Sequence, residues 1–200
     1  SATTTCVITN QADPGSIIVA KETLPDGSAQ GFEFSPSWGD AFTLADGQSN
    51  DSGLLEPGSY SVGETVPAGW DLASATCDDG SDPAAIGLDP GETVTCTFTN
   101  TRLVGAVSVV KTLSGATEGY VGGSTFDVTV TCDGGTGGVV VVGPSSPAIL
   151  EGIPTGSVCT VVETALPEPV DGFSYGDPSY TPSSTVLVAD TGTVEVVIDN

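Results

Sequence analysis

Val94-Thr95-Cys96-Thr97-Phe98-Thr99-Asn100 alternates apolar and polar side chains and ends in asparagine. Such alternation marks a half-buried β-strand. Nearly the same run stands earlier as Thr4-Thr5-Cys6-Val7-Ile8-Thr9-Asn10. A looser copy without the cysteine follows at Glu195-Val196-Val197-Ile198-Asp199-Asn200. The first copy leads into a polar linker, Gln11-Ala12-Asp13-Pro14-Gly15, and the second into a short one containing Thr101 and Arg102. After each linker a new strand begins: Ser16-Ile17-Ile18-Val19-Ala20-Lys21, then Ala106-Val107-Ser108-Val109-Val110-Lys111. Endings and beginnings that recur in this way denote an array of beads. One domain is expected at 13–101 and another at 102–200, with residues 1–12 as the last strand and linker of a preceding repeat.

The chain of 200 residues accommodates two domains of about 100 residues each. It carries 27 Gly and 14 Pro, and Val and Thr dominate the runs between them. No stretch sustains a helical period, so the expected class is all-β. In the first domain strands are expected near 16–22, 31–35, 41–45, 53–56, 59–66, 70–77 and 91–100. In the second they are expected near 105–113, 124–132, 138–142, 147–151, 156–164, 184–189 and 192–200. Turns such as Pro25-Asp26-Gly27, Glu56-Pro57-Gly58, Asp133-Gly134-Gly135 and Pro154-Thr155-Gly156 separate them. About seven short strands per domain is the pattern of an Ig-like β-sandwich.

The 26 acidic residues face 3 basic ones, a net charge of −23. Nucleic acid and anionic lipid both require lysine and arginine to neutralise phosphate, so neither is an expected partner. There is no His and no Met. That removes His-dependent catalytic triads, His metal sites and the usual haem ligands, and no cofactor or metal is expected. No nucleophile–base pair supports an enzyme, although the many carboxylates leave a glycosidase formally open. The sequence shows no signal peptide, membrane span or C-terminal sorting motif, as a segment of a longer secreted precursor would.

Five cysteines sort by domain: Cys77 with Cys96, and Cys132 with Cys159. Cys6 occupies the place of Cys96 in the N-terminal copy, which puts its partner upstream. Disulfides of this kind imply an extracellular location, against the alternative of five reduced thiols in a cytosolic protein.

Only two lysines are present, each near the end of a domain's first strand. Residues two apart share a strand face, so Lys21 points with Ile17 and Val19, and Lys111 with Val107 and Val109. By the same parity Asn100 lies with Val94, Cys96 and Phe98, and Asn200 with Val194, Val196 and Ile198. Glu64 joins Tyr60 and Val62, and Glu163 joins Cys159 and Val161. Each domain thus directs one Lys, one Glu and one Asn from three strands toward its core.

These residues carry a resemblance. Tyr60-Ser61-Val62-Gly63-Glu64-Thr65-Val66-Pro67-Ala68-Gly69-Trp70 resembles the Glu-containing motif of the Cna B-type (SpaA-like, prealbumin-fold) domains of bacterial surface adhesins and pilins. Cys159-Thr160-Val161-Val162-Glu163 is similar to it more loosely, with Pro167 and Gly172-Phe173 in place of the compact ending. The resemblance implies a cell-surface stalk of tandem prealbumin-like sandwiches, with neighbouring repeats and other surface or filament subunits as partners. It further implies a spontaneous amide cross-link in each domain, Lys21 to Asn100 and Lys111 to Asn200, promoted by Glu64 and Glu163. The bland alternative is a buried Lys–Glu pair with Asn as its hydrogen-bond partner. A rival function is a ligand-binding adhesin module that grips glycan or protein through Trp38. Trp70 reads as packing beside the glutamate motif. The acidic loop Asp78-Asp79-Gly80-Ser81-Asp82 departs from calcium-loop spacing and reads as a solvated turn.

Overall fold

The computed structural model describes residues 11–114, 124–133, 135–168, 174–189 and 191–200. The chain divides into two units between Arg102 and Leu103. Every regular element among the described residues is a β-strand. The strand expected over residues 1–12 falls, with Cys6, almost wholly on residues 1–10, which lie outside the described residues, as do Gly134, Gly172 and Phe173.

The first unit contains β1 (Ser16–Leu24), β2 (Phe32–Pro36), β3 (Phe42–Leu44), β4 (Ser49–Asp51), β5 (Gly58–Tyr60), β6 (Val62–Thr65), β7 (Trp70–Cys77), β8 (Ile86–Leu88) and β9 (Thr93–Arg102). One sheet has the order β4-β1-β9-β7; a second has β3-β2-β6, and β5 pairs with β8. β1 and β9 run parallel, with Ile17 opposite Val94 and Lys21 opposite Phe98. Burial along β1 alternates strictly through Lys21, as the period-2 reading requires. Ile17, Val19, Val94 and Cys96 pack from this sheet onto Phe32, Phe34 and Val62, all buried. Phe34 meets Phe98 edge-on at 5.1 Å and stacks with Phe42 at 5.5 Å. Burying each of these side chains contributes about 1.5–3 kcal/mol of transfer free energy.

The second unit contains β10 (Val104–Thr112), β11 (Phe126–Cys132), β12 (Gly137–Val142), β13 (Ala148–Pro154), β14 (Val158–Ala165), β15 (Ser179–Thr181), β16 (Thr185–Leu187) and β17 (Thr193–Asp199). Its sheets are β13-β10-β17-β15 and β12-β11-β14-β16. β10 and β17 are again parallel neighbours, with Lys111 opposite Ile198. Val107, Val109, Val196 and Ile198 close over Phe126, Val128 and Val161.

Two glycines let the first strand of each unit approach the turn before its last. A Cβ at Gly15 would stand 2.5 Å from Glu92 O, and one at Gly105 would stand 2.6 Å from Gly192 O, so any side chain there would clash with backbone. The strand expected at 53–56 is instead a turn: Gly53 has φ +71°, and the edge strand is β4, four residues earlier. The single strand expected at 59–66 is two, β5 and β6, which join different partners on either side of Ser61.

Cys77 faces Cys96 across β7 and β9, and Cys132 faces Cys159 across β11 and β14. Both pairs are bonded. The first disulfide therefore staples the sheet that bears Lys21 and Asn100. The second staples the opposite sheet, on the strand that bears Glu163.

Candidate functional site

The parallel pairing of β1 with β9 sets the first cluster. Asn100 lies opposite Thr23, two positions beyond the partner of Lys21, and so on the same inward face. Lys21 and Asn100 are both fully buried. The Lys21 Nζ donates to Asn100 Oδ1 at 2.8 Å, to Phe98 O at 3.2 Å and to Glu22 O at 2.5 Å. Those three carbonyls account for the three hydrogens of an ammonium group. Glu64 enters from the facing sheet on β6, its side chain fully enclosed, with Oε1 at 3.7 Å from Nζ. Neither Glu64 oxygen has a hydrogen-bond donor, and Asn100 Nδ2 has no acceptor. The Phe32 ring lies 4.1 Å from Nζ and closes the cluster from below.

The second cluster repeats the plan. Lys111 is fully buried and its Nζ donates to Asn200 Oδ1, to Thr112 O at 3.1 Å and to Ile198 O at 3.4 Å. Glu163, from β14, places Oε1 at 3.5 Å from Nζ, and its Oε2 accepts from Asn200 Nδ2 at 2.9 Å. Asn200 Nδ2 also reaches Gly176 O at 3.4 Å. Phe126 takes the place of Phe32, 4.7 Å from Nζ. One carboxylate here touches both the amine nitrogen and the amide nitrogen.

Burial governs the protonation of these groups. Loss of water lowers the pKa of Lys21, against the opposing pull of the Glu64 charge. Burial likewise raises the pKa of Glu64, partly offset first by the Asn100 amide and then by Lys21. Lys111 is lowered for the same reason, with Glu163 opposing. In the first cluster both shifts narrow the gap between an ammonium–carboxylate pair and an amine–carboxylic acid pair. A proton can then pass from Lys21 to Glu64 more readily than between the same groups in water, leaving a nucleophilic amine beside an amide carbonyl.

Other residues singled out in the sequence sit elsewhere. Trp70 is buried, meets Phe32 edge-on at 5.3 Å, and carries the Arg102 guanidinium over its ring at 5.3 Å. Trp38 is half-buried and packs edge-on to Tyr60. In the acidic loop, Asp79 accepts from Ser81, Asp82 from Ala84 N and Asp78 from Thr95 N, so its carboxylates cap local backbone. Among the described residues no three His, Cys, Asp or Glu side chains gather as a metal site. The aromatic floor under each lysine was not anticipated. Its available signal is that Phe32 and Phe126 open the second long strand of each domain.

Two parallel-paired terminal strands, an enclosed Lys–Glu–Asn cluster and a sandwich core make each unit a prealbumin-like β-sandwich. Residues 17–102 match the family model of the SpaA-type prealbumin-like fold domain. Residues 107–200 match the family described as a domain of unknown function, DUF5979. No curated protein matches the chain in sequence. Among solved structures, the TIE protein of Bacillus anthracis is similar at 20% identity and a TM-score of 0.62, over 94% of this chain and 34% of that one. A C-terminal fragment of the pilus adhesin SpaC from Lactobacillus rhamnosus GG is similar at 13% identity and a TM-score of 0.54, over 94% of this chain and 97% of the fragment. The SpaC adhesin itself aligns at 12% identity and a TM-score of 0.52, over 92% of this chain and 31% of its own. The chain thus spans about a third of the TIE protein and of SpaC. At these identities the likeness is one of fold.

Proposed function

We propose that this chain is a load-bearing spacer of a bacterial cell-surface adhesin or extracellular filament. Each domain is locked by an internal amide bond, Lys21 to Asn100 and Lys111 to Asn200, and by its disulfide. The observation that carries this reading is the twice-built cluster in which a buried lysine Nζ sits on the carbonyl oxygen of an asparagine amide, one bond from the carbon it attacks.

The step balances without any co-reactant. Glu64 takes a proton from the Lys21 ammonium, and the freed lone pair attacks Asn100 Cγ. The Cγ–Nδ2 bond breaks as the departing nitrogen receives a proton, ammonia leaves, and the remaining proton stays on Glu64. One C–N bond forms, one breaks, and nothing is oxidised or reduced. Glu163 performs the same transfer in the second domain, where its two oxygens already face the attacking and the leaving nitrogen. The fold supplies proximity, worth on the order of 7–11 kcal/mol of barrier in favourable cases. The reaction is intramolecular and happens once, so the chain is not an enzyme in the turnover sense.

The mechanical argument follows from topology. Tension enters a domain at the start of β1 and leaves at the end of β9, and Lys21 and Asn100 sit near the ends of those two parallel strands. A covalent tie there carries load from β1 directly into β9, and residues 22–99 are spared it. The partners implied are neighbouring repeats and the other subunits of a surface assembly. Intact mass under reducing and non-reducing conditions tests the reading: two ammonia losses and two disulfides are expected, and a mass retaining both ammonias overturns it.

A further inference from the structure

We infer that each domain uses an aspartate outside its Lys–Glu–Asn cluster as a positioning residue for bond formation: Asp46 in the first domain and Asp199 in the second. The inference rests on the cross-linking reading above and adds which residues hold the reacting pair in register.

The two clusters place their asparagines at different points of the last strand. Asn100 stands inside β9, which runs two residues beyond it to Arg102. Asn200 directly follows β17.

In the second domain Asp199 adds a side-chain tie to the backbone pairing at the strand end. Its Oδ1 accepts from Thr112 Oγ1 at 2.7 Å and its Oδ2 accepts from the Ser114 hydroxyl. Around it, Ser114 N donates to Asn200 O at 3.0 Å and Asn200 N donates to Thr112 O at 3.4 Å. Thr112 directly follows Lys111, and Ser114 stands two residues further on. The carboxylate thus binds the end of the acceptor strand to the residues next to the nucleophile, and the neighbouring asparagine is presented to Nζ.

In the first domain the side-chain tie lies on the donor strand. β1 pairs with β4 only as far as Ala20, opposite Ser49. Beyond that point the turn at Asp46 takes over. Lys21 N donates to Gln48 O and Gly47 N donates to Lys21 O, both at 2.9 Å. The Asp46 carboxylate accepts from Thr23 N at 2.5 Å and from Gly27 N at 2.6 Å. Lys21 is bracketed on both sides by a turn that one carboxylate anchors. Both aspartates are held below the usual carboxylate range by these bonds, Asp46 chiefly by Gly27 N–H and Asp199 chiefly by the Ser114 hydroxyl.

The two domains serve as each other's control. The 200-residue chain is made by cell-free synthesis and followed by intact mass over time, with peptide mapping to assign each ammonia loss to its domain. Asp199→Ala is expected to slow the second bond ~10- to 100-fold, the range that misplacement of a reacting pair costs, and to leave the first unchanged. Asp46→Ala is expected to do the reverse. Thr112→Val with Ser114→Ala removes the partners of Asp199 from the other strand and is expected to match Asp199→Ala. Asp199→Asn, which keeps an acceptor for Thr112, is expected to fall between. Once fully cross-linked, the Asp199→Ala product is expected to melt within a few degrees of the unmodified chain, because the aspartate acts on the rate of tying and not on the finished tie. Second-bond formation at the unmodified rate in Asp199→Ala, or equal slowing of both bonds by either variant, overturns the inference while the cross-link reading stands. An unmodified chain that loses no ammonia overturns both.

Discussion

Preventing the first cross-link measures what it contributes. Two substitutions leave it unmade by different routes: Asn100→Ala removes the acceptor, and Glu64→Gln removes the proton carrier while keeping its shape. The tie spans 79 residues along the chain, but the Cys77–Cys96 disulfide already short-cuts 19 of them. The loop it newly closes is therefore about 60 residues, and the chain-entropy relation for a cross-link of that size gives about 4 kcal/mol. For a domain of this length that corresponds to a melting temperature lower by roughly 15–30 °C. Each variant also disturbs a buried polar contact of its own: Asn100→Ala strips Lys21 of one acceptor, and Glu64→Gln unpairs its charge. The loss common to both is the contribution of the bond. Calorimetry of the oxidised chain gives the melting shift, and intact mass, compared with the mass each sequence requires, confirms one ammonia loss fewer in each variant. Should both variants lack that loss and still melt within about 3 °C of the unmodified domain, a shift worth under 1 kcal/mol, the loop-entropy reasoning is refuted.

Bond formation in the first domain requires exactly one transferable proton between Lys21 and Glu64, so its rate should be flat near neutrality and fall on both sides. Burial raises Glu64 above 4.5 and lowers Lys21 below 10.5, which draws both limbs inward, and a rate still climbing at pH 10.5 would contradict this. Replacing Cys77 and Cys96 together by alanine should cost about 3 kcal/mol for the short loop they close, read by denaturant unfolding, while the ammonia loss persists. Phe32→Ala should cost about 3–5 kcal/mol as a large-to-small core change under Lys21, and unchanged stability would show the ring to be dispensable. Neither lysine should react with an amine-directed reagent in the folded chain, nor link one chain to another; peptide mapping that finds label on Lys21 or Lys111 would show the amines to be free.

Much of the site was legible because a strand has a period of two. Once Ile17 and Val19 were read as inward, Lys21 had to follow them, and the same parity led to Asn100 and Glu64. Its physical basis, burial that alternates down β1, is what the structure displays. Features without a hydrophobic pattern were not legible. β4 is Ser49-Asn50-Asp51, an edge strand joined to β1 through backbone alone, and nothing in its side chains announces it. β8 and β15 are three residues long, too short to show an alternation. The split at Ser61 depends on Ser37 and Pro83, whose bonds to Ser61 and Val62 come from distant parts of the chain. Asp46 escaped notice for the same reason, since its partners Thr23 and Gly27 lie about twenty residues away.

The three cationic side chains have a common fate. Lys21 and Lys111 are buried, and Arg102 lies over the Trp70 ring. Each amide cross-link also turns an ammonium into a neutral group and leaves its proton on the buried glutamate, so the formal charge stays at −23. The matured chain would then present solvent with carboxylates and almost nothing to neutralise them. Copies held side by side would repel one another across roughly a Debye length, about 8 Å at physiological ionic strength. Copies of the chain would stay apart in dilute medium and draw together only as salt or divalent cations screen them. Burying both lysines in the two cores would thereby set the ionic conditions under which such copies can approach.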